Sequence, residues 1–191
     1  MTTIEDARVK KTKAKLLASF QLLLAEKTFE DITINEICET SGIRRATFYK
    51  HFTDKYDFLK YFVGSLRWRF DAKIERKTRT DSDPYYVEYL GAIVDFLTGN
   101  EGIVKNCLES NALPIIVEVI KEKNFEDTCE RLRESERAGL TLPASTEIVA
   151  TMMIGAVAEA ILRWFKGGKK MPKEALIKET SAVIVKMGNL E

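Results

Sequence analysis

One histidine, three cysteines, four prolines and ten glycines in 191 residues leave little material for several kinds of chemistry. His51 stands alone, and Cys38, Cys107 and Cys129 contain no CxxC, so neither a metal-ligand set nor a disulfide framework is indicated and no cofactor is expected. No glycine-rich phosphate loop and no cysteine–histidine pair occur, which leaves an enzyme with little support. Long β-branched alternation is also missing, and glycines and prolines are few, most of them where a helix could start or stop; the chain reads as all-α. No continuous apolar run reaches the ~18 residues that span a bilayer. The first residues, MTTIEDARVKKTK, lack the apolar stretch of a secretion signal, so a cytoplasmic protein without membrane contact is expected.

What is present is a balanced, core-forming composition: 45% hydrophobic and 31% charged residues with a net charge of +1. Charge placement is more telling than its sum. Arg8, Lys10, Lys11, Lys13 and Lys15 cluster near the start, and Arg44, Arg45, Lys50 and Lys55 follow. Such a run is ordinarily a solvated arm, but beside a nucleic-acid reader it gains weight as a set of phosphate contacts.

The apolar spacing predicts a first helix over 10–26, with Leu16, Phe20, Leu23 and Leu24 on one stripe. Thr33-Ile34-Asn35-Glu36 spells a capping box that opens a second helix over 34–40. Gly42 permits a positive-φ turn, Ile43 plugs the angle, and a third helix follows over 45–51 with Phe48 and Phe52 inward. Asp54 caps a fourth helix over 55–76, whose Phe58, Leu59, Phe62, Leu66, Trp68 and Phe70 are too many for one narrow stripe; it connects the two halves of the chain. A polar linker is expected over 77–82. Five further helices are expected over 83–99, 101–110, 113–138, 144–166 and 173–187, about nine in all. The predicted division is a 1–60 helix-turn-helix DNA-binding domain and a 77–191 helical domain.

The stretch Gly42-Ile43, Thr47-Phe48-Tyr49-Lys50-His51-Phe52 and Asp54-Lys55-x-x-Phe58-Leu59 closely resembles the DNA-binding domain of TetR/AcrR-family transcriptional regulators. The resemblance covers about residues 10–60. It implies an all-helical homodimer, usually a repressor, whose C-terminal domain holds a small-molecule pocket and whose last two helices build the dimer interface. It assigns Tyr49, His51, Lys55 and Thr33 to backbone phosphates, and Arg45 and Thr47 to base edges. Arg44 departs from the family pattern: it stands where a small hydroxyl residue commonly caps the recognition helix, and arginine cannot accept a bond from free N–H groups.

The chemistry agrees with these assignments. Arginine can donate two parallel bonds to guanine O6 and N7, worth about 1–3 kcal/mol of discrimination, and Arg44-Arg45 suits that role. Thr47 can pack its methyl on a thymine methyl. Tyr49, Lys50, His51 and Lys55 offer donors at phosphate level, which position a domain without reading sequence. With roughly four phosphate contacts per subunit, a dimer's log–log salt slope is expected near about −7. Small residues Gly155, Ala156, Ala158 and Ala160 beside Met152, Met153 and Trp164 mark 144–166, with 173–187, as the self-association helices. Tyr89, Phe96, Cys107, Asn111, Phe125 and Met152 are the candidate lining residues for an unknown small-molecule effector, beside Tyr85, Tyr86 and Met153. Double-stranded operator DNA is the expected partner. Control by a partner protein, activation instead of repression, and a helical protein-interaction module remain open alternatives.

Overall fold

The computed structural model describes residues 2–74 and 82–188. Among them are nine α-helices and no strand: α1 (Thr2–Glu26), α2 (Ile34–Ser41), α3 (Arg45–Tyr49), α4 (Lys55–Ile74), α5 (Ser82–Gly99), α6 (Glu101–Leu108), α7 (Leu113–Arg137), α8 (Thr146–Lys166) and α9 (Lys173–Gly188). The all-α expectation holds. The linker expected over 77–82 lies almost wholly outside the described residues, as do the side chains of Trp68 and Phe70.

The helices gather into two compact units, Met1–Val63 with Gly99–Ile116, and Gly64–Thr98 with Val117–Glu191. The first unit therefore takes in α6 and the first turn of α7, which the linear division at 60 and 77 does not separate. The reason is a set of contacts on the end of α1. Asn106 donates its side-chain amide to the Leu24 carbonyl at 2.9 Å, and Gln21 donates to Asn100 at 3.5 Å. Gly102 sits so close that an added Cβ would lie 3.2 Å from the Ala25 carbonyl oxygen. Glu30 accepts from the Ser110 hydroxyl and the Asn111 backbone N–H, both at 2.9 Å.

The core of this unit is aromatic. Leu16, Phe20 and Leu24 form the buried stripe of α1, with Leu23 half-buried beside them. Phe20 meets Phe58 and Phe62 at 5.1 and 5.0 Å between ring centroids, and Phe58 in turn meets Phe48 and Phe52 at 5.4 and 4.7 Å. The tilted and edge-on geometries are those in which ring pairs add to plain burial, by about 0.5–1.5 kcal/mol each. α1, α3 and the start of α4 are thus joined by one cluster.

The second unit has two separate clusters. One joins Cys129 and Leu132 of α7, Val149, Ala150 and Met153 of α8, and Ile184 of α9, with Tyr86 and Phe125 against it. The other joins Val94, Trp164 and Leu176; the Trp164 indole N–H donates to the Met171 carbonyl at 2.7 Å, so the ring is buried without an orphaned donor. By length and composition α8 is apolar enough to cross a membrane. No continuous run reaches the spanning length, as expected, since Glu147, Thr151 and Glu159 interrupt it while the average stays apolar. Its Val149, Ala150, Met153, Ile161 and Trp164 side is nevertheless buried within the unit.

Candidate nucleic-acid interface

The α2–turn–α3 segment is built by local rules. Thr33, in extended conformation, accepts from the Glu36 backbone N–H at 3.2 Å, and Glu36 accepts from the Thr33 N–H and hydroxyl, both at 2.8 Å, completing the expected capping box. Lys27 donates to the other Glu36 oxygen. The Lys27 ammonium first, then the Thr33 backbone and hydroxyl donors, hold the Glu36 carboxyl down at about 2 against its ordinary 4.5. α2 ends at Gly42, whose φ of 66° is the left-handed turn that glycine adopts without strain. The N–H groups of Gly42 and Ile43 reach back to Glu39 and Cys38 carbonyls at 3.2 and 3.0 Å, tying off the helix end.

α3 then begins without a side-chain cap: Arg44 is extended and its side chain makes no capping bond, as its chemistry requires. The helix is five residues long, with Lys50 and His51 in the turn after it, shorter than the span expected to 51. Phe48 is fully buried and pins α3 to the core. Arg44, Arg45, Tyr49 and Lys50 are exposed, and Thr47 and His51 are half-buried. These six side chains therefore share one short solvent-facing element. Arg45 lies alongside Tyr49, donating to its phenol oxygen at 3.3 Å. Asp54 caps α4 as expected, accepting from Tyr56 and Asp57 N–H groups at 2.8 Å.

Three expected contacts are redirected by the structure. The Lys55 ammonium donates to the carbonyls of Phe29, Glu30 and Ile32 at 3.1, 3.0 and 3.1 Å and lies over the Phe29 ring. All three of its protons are engaged, so the phosphate role expected for Lys55 gives way to clamping the 28–32 loop. Thr33 likewise gives its one hydroxyl proton to Glu36 and has none left for a phosphate. Lys13 of the basic run packs over the Tyr61 and Phe52 rings at 4.7 and 5.8 Å instead of standing free in solvent.

The six candidate pocket residues do not form one cluster within either unit. Cys107 and Asn111 fold with the first unit, where Asn111 is exposed; burial pushes the Cys107 thiol up to about 11, which keeps it protonated. The other four fold with the second unit. Phe125 packs against a core cluster, Met152 is 57% exposed, and Phe96 is half-buried. Tyr89 donates to Asn124 at 2.5 Å and stacks on Tyr85 at 5.7 Å, while Arg131 covers the Tyr85 ring at 3.5 Å. Sequence reasoning missed the Glu30 clamp on Ser110 and Asn111, a contact across eighty positions with no local signal.

Comparison with known proteins converges on one family. Residues 22–62, the segment from mid-α1 into α4, match the model of bacterial regulatory proteins of the tetR family. The HTH-type transcriptional regulator YxbF of Bacillus subtilis strain 168, itself uncharacterized, is 42% identical over 59 residues, a match that spans 30% of this chain and 16% of that protein. A TetR-family transcriptional regulator from Syntrophomonas wolfei superposes with a TM-score of 0.73 at 17% identity, over 94% of this chain and 95% of the other. RolR in complex with resorcinol superposes with a TM-score of 0.65 at 18% identity, over 95% and 89% of the two chains. At those identities the superpositions speak for the fold, and the sequence match is concentrated in the head that the α2–turn–α3 geometry singles out. On that combined ground residues 22–62 match the tetR family of bacterial regulatory proteins in sequence, and the chain as a whole shares the fold of the superposed regulators.

Proposed function

We propose that the protein regulates transcription by binding operator DNA as a homodimer, and that it represses until a small-molecule effector releases it. The observation that carries the DNA reading is the solvent face of α3, where Arg44, Arg45, Thr47, Tyr49, Lys50 and His51 stand together over a helix fixed from beneath by buried Phe48. Arg45 and Thr47, with Arg44, would read base edges in the major groove. Tyr49, Lys50 and His51 would hold phosphates.

Two such readers must lie about 34–36 Å apart to reach successive turns of a duplex, which calls for pairing. Supporting self-association through α8 and α9, Ile148 and Met152 are 54% and 57% exposed on the α8 face that also carries open Gly155 and exposed Ala156, and Val183 of α9 is 54% exposed. The resorcinol complex of RolR supports an effector of small-molecule type. The head within residues 1–60 would read DNA, and the region 77–191 would hold the effector and the dimer contact.

Selection of bound duplexes from a random pool, using the full-length protein at low salt, tests the reading. A two-fold-related site should emerge. With three phosphate donors per subunit its affinity should fall with a log–log salt slope of about −5. Failure to retain any duplex would overturn the DNA reading. Transcription in vitro from a promoter carrying the selected site should fall on adding protein; a rise would make the protein an activator. A compound screen for release from that site then tests the effector.

A further inference from the structure

We infer that Tyr49 is a positioning residue for base readout: its phenol holds the Arg45 guanidinium ready to engage a guanine, so that one tyrosine oxygen couples a phosphate contact to the reading of a base. This rests on the solvent face of α3 being the DNA interface.

Arg45 and Tyr49 lie one helical turn apart, the spacing at which side chains on a helix surface meet. Arg45 Nη2 donates to the Tyr49 phenol oxygen at 3.3 Å, and the guanidinium carbon lies 5.5 Å from the ring centroid. The Arg45 pKa is raised, with the Tyr49 hydrogen bond as the main cause. The tyrosine is itself held. Its ring stands edge-on to Phe48 at 5.6 Å and 85°, and Phe48 is fully buried against Phe52 and Phe58. Contact therefore runs without a break from the aromatic core, through Tyr49, to an exposed cation.

The proton inventory lets this pair do two things at once. A guanidinium has five N–H groups, and giving one to Tyr49 leaves enough for the paired bonds to guanine O6 and N7. The phenol oxygen accepts from Arg45 and keeps its own proton for a phosphate. Each bond polarises the other, so the phosphate contact tightens the arginine's hold and the arginine makes the phenol a better donor. An arginine held beforehand also loses less side-chain freedom on binding. Among the described residues Arg44 shows no equivalent bond: one turn on, the buried Phe48 has no polar atom to offer, and the Arg44 side chain does not engage the Thr47 hydroxyl. The two adjacent arginines are therefore unequal, and Arg45 is the one prepared for readout.

The test measures binding of the full-length protein to its selected duplex and to duplexes with each guanine of a half-site replaced in turn. Wild type, Tyr49→Phe, Arg45→Ala and the double variant are compared. Tyr49→Phe keeps the ring contacts and removes only the hydroxyl. It should lower discrimination about fivefold at a single guanine position. Arg45→Ala should abolish discrimination at that same position, and the double variant should match Arg45→Ala in discrimination, because the hydroxyl reads bases through the arginine, while its affinity falls further on every duplex alike with the lost phosphate contact. A Tyr49→Phe loss that is equal on every duplex would make Tyr49 a phosphate anchor alone and overturn the inference, as would no loss of discrimination, or a loss of discrimination at a position that Arg45→Ala leaves unchanged. A wild type that selects a duplex with no arginine-dependent guanine overturns the inference and leaves DNA binding standing. A wild type that binds no duplex overturns both.

Discussion

The two units of the molecule bury their apolar residues to different depths. In the first, Phe20, Phe29, Phe48 and Phe58, with Leu16, Leu24, Ile32, Ile37 and Leu59, are sealed almost completely. In the second, the described side chains sealed to that degree are the smaller Val94 and Ala150, with Cys129, Met153, Ile184 and the polar Ser181 following at 2% exposure. The first unit closes one aromatic cluster on itself. The second divides its interior into two clusters and leaves Ile148, Met152 and Val183 on the outside. A reading head has to present a few side chains at fixed positions, and an interior packed to crystal-like density supplies that rigidity. A unit proposed to pair with a copy of itself and to answer an effector keeps part of its apolar surface for those encounters.

The largest effect that could break this comparison is in the head. Phe48→Ala should cost about 3–5 kcal/mol, since it removes a fully buried ring from the middle of the aromatic cluster and leaves a cavity. Denaturant unfolding of the full chain measures it; a loss below about 1 kcal/mol would mean that the head is not held as one packed body. Next comes Met152→Glu on α8. A charge placed in the proposed self-association face should weaken pairing by roughly 2 kcal/mol, with the helical content unchanged. Light scattering across a concentration series against wild type, with circular dichroism as the fold control, reads it. An unaltered dimer would remove this face from the interface.

The sequence was most readable where structure follows from neighbours in the chain. The Thr33–Glu36 box, the turn at Gly42, the missing cap at Arg44 and the Asp54 cap of α4 each depend on residues within four positions, and each stands as read. The face of α3 was readable for the same reason, since burying Phe48 dictates what turns outward. Lys55 shows where this fails. A lysine at a helix start resembles a phosphate contact until a loop 23–26 positions earlier turns three carbonyls toward it. Glu30 reaches eighty positions to Ser110, and no periodicity announces it. The start of α1 was missed because nothing between Thr2 and Lys10 stops a helix and nothing marks its beginning. The effector residues were the least readable: a stripe of aromatics and methionines looks the same in the sequence whether it lines a cavity, as proposed for Phe125, or packs a core, as Phe125 does beside Cys129 and Leu132.

A smaller effect sharpens the contrast from the second unit. Ser181 is 2% exposed and its hydroxyl oxygen has no hydrogen-bond partner among the described residues. A buried hydroxyl left unpaired loses its hydration for nothing in return, so Ser181→Ala should raise stability by about 1 kcal/mol. Thermal unfolding of the two proteins side by side measures this, and a lower melting temperature for the alanine variant would show that the hydroxyl is satisfied in solution.

The smallest expected effect belongs to the head and has a pH signature that distinguishes it from packing. Glu36 is exposed enough for solvent to screen its partners, yet Lys27 and the Thr33 donors hold its carboxyl at about 2 in the folded protein against an ordinary 4.5. A carboxyl depressed on folding contributes stability that is fully present above its unfolded value. That contribution is lost as pH falls through its folded value. The window therefore runs from about pH 4.5 down to about pH 2. Glu36→Gln keeps a side chain able to complete the capping box but removes the charge. Wild type should melt above this variant at neutral pH, and the gap should close across that window, because every other carboxyl titrates alike in both proteins. A gap that stays constant from neutral pH to pH 2 would mean that Glu36 acts through shape alone, and that the first unit owes the start of α2 to the box geometry without help from the charge.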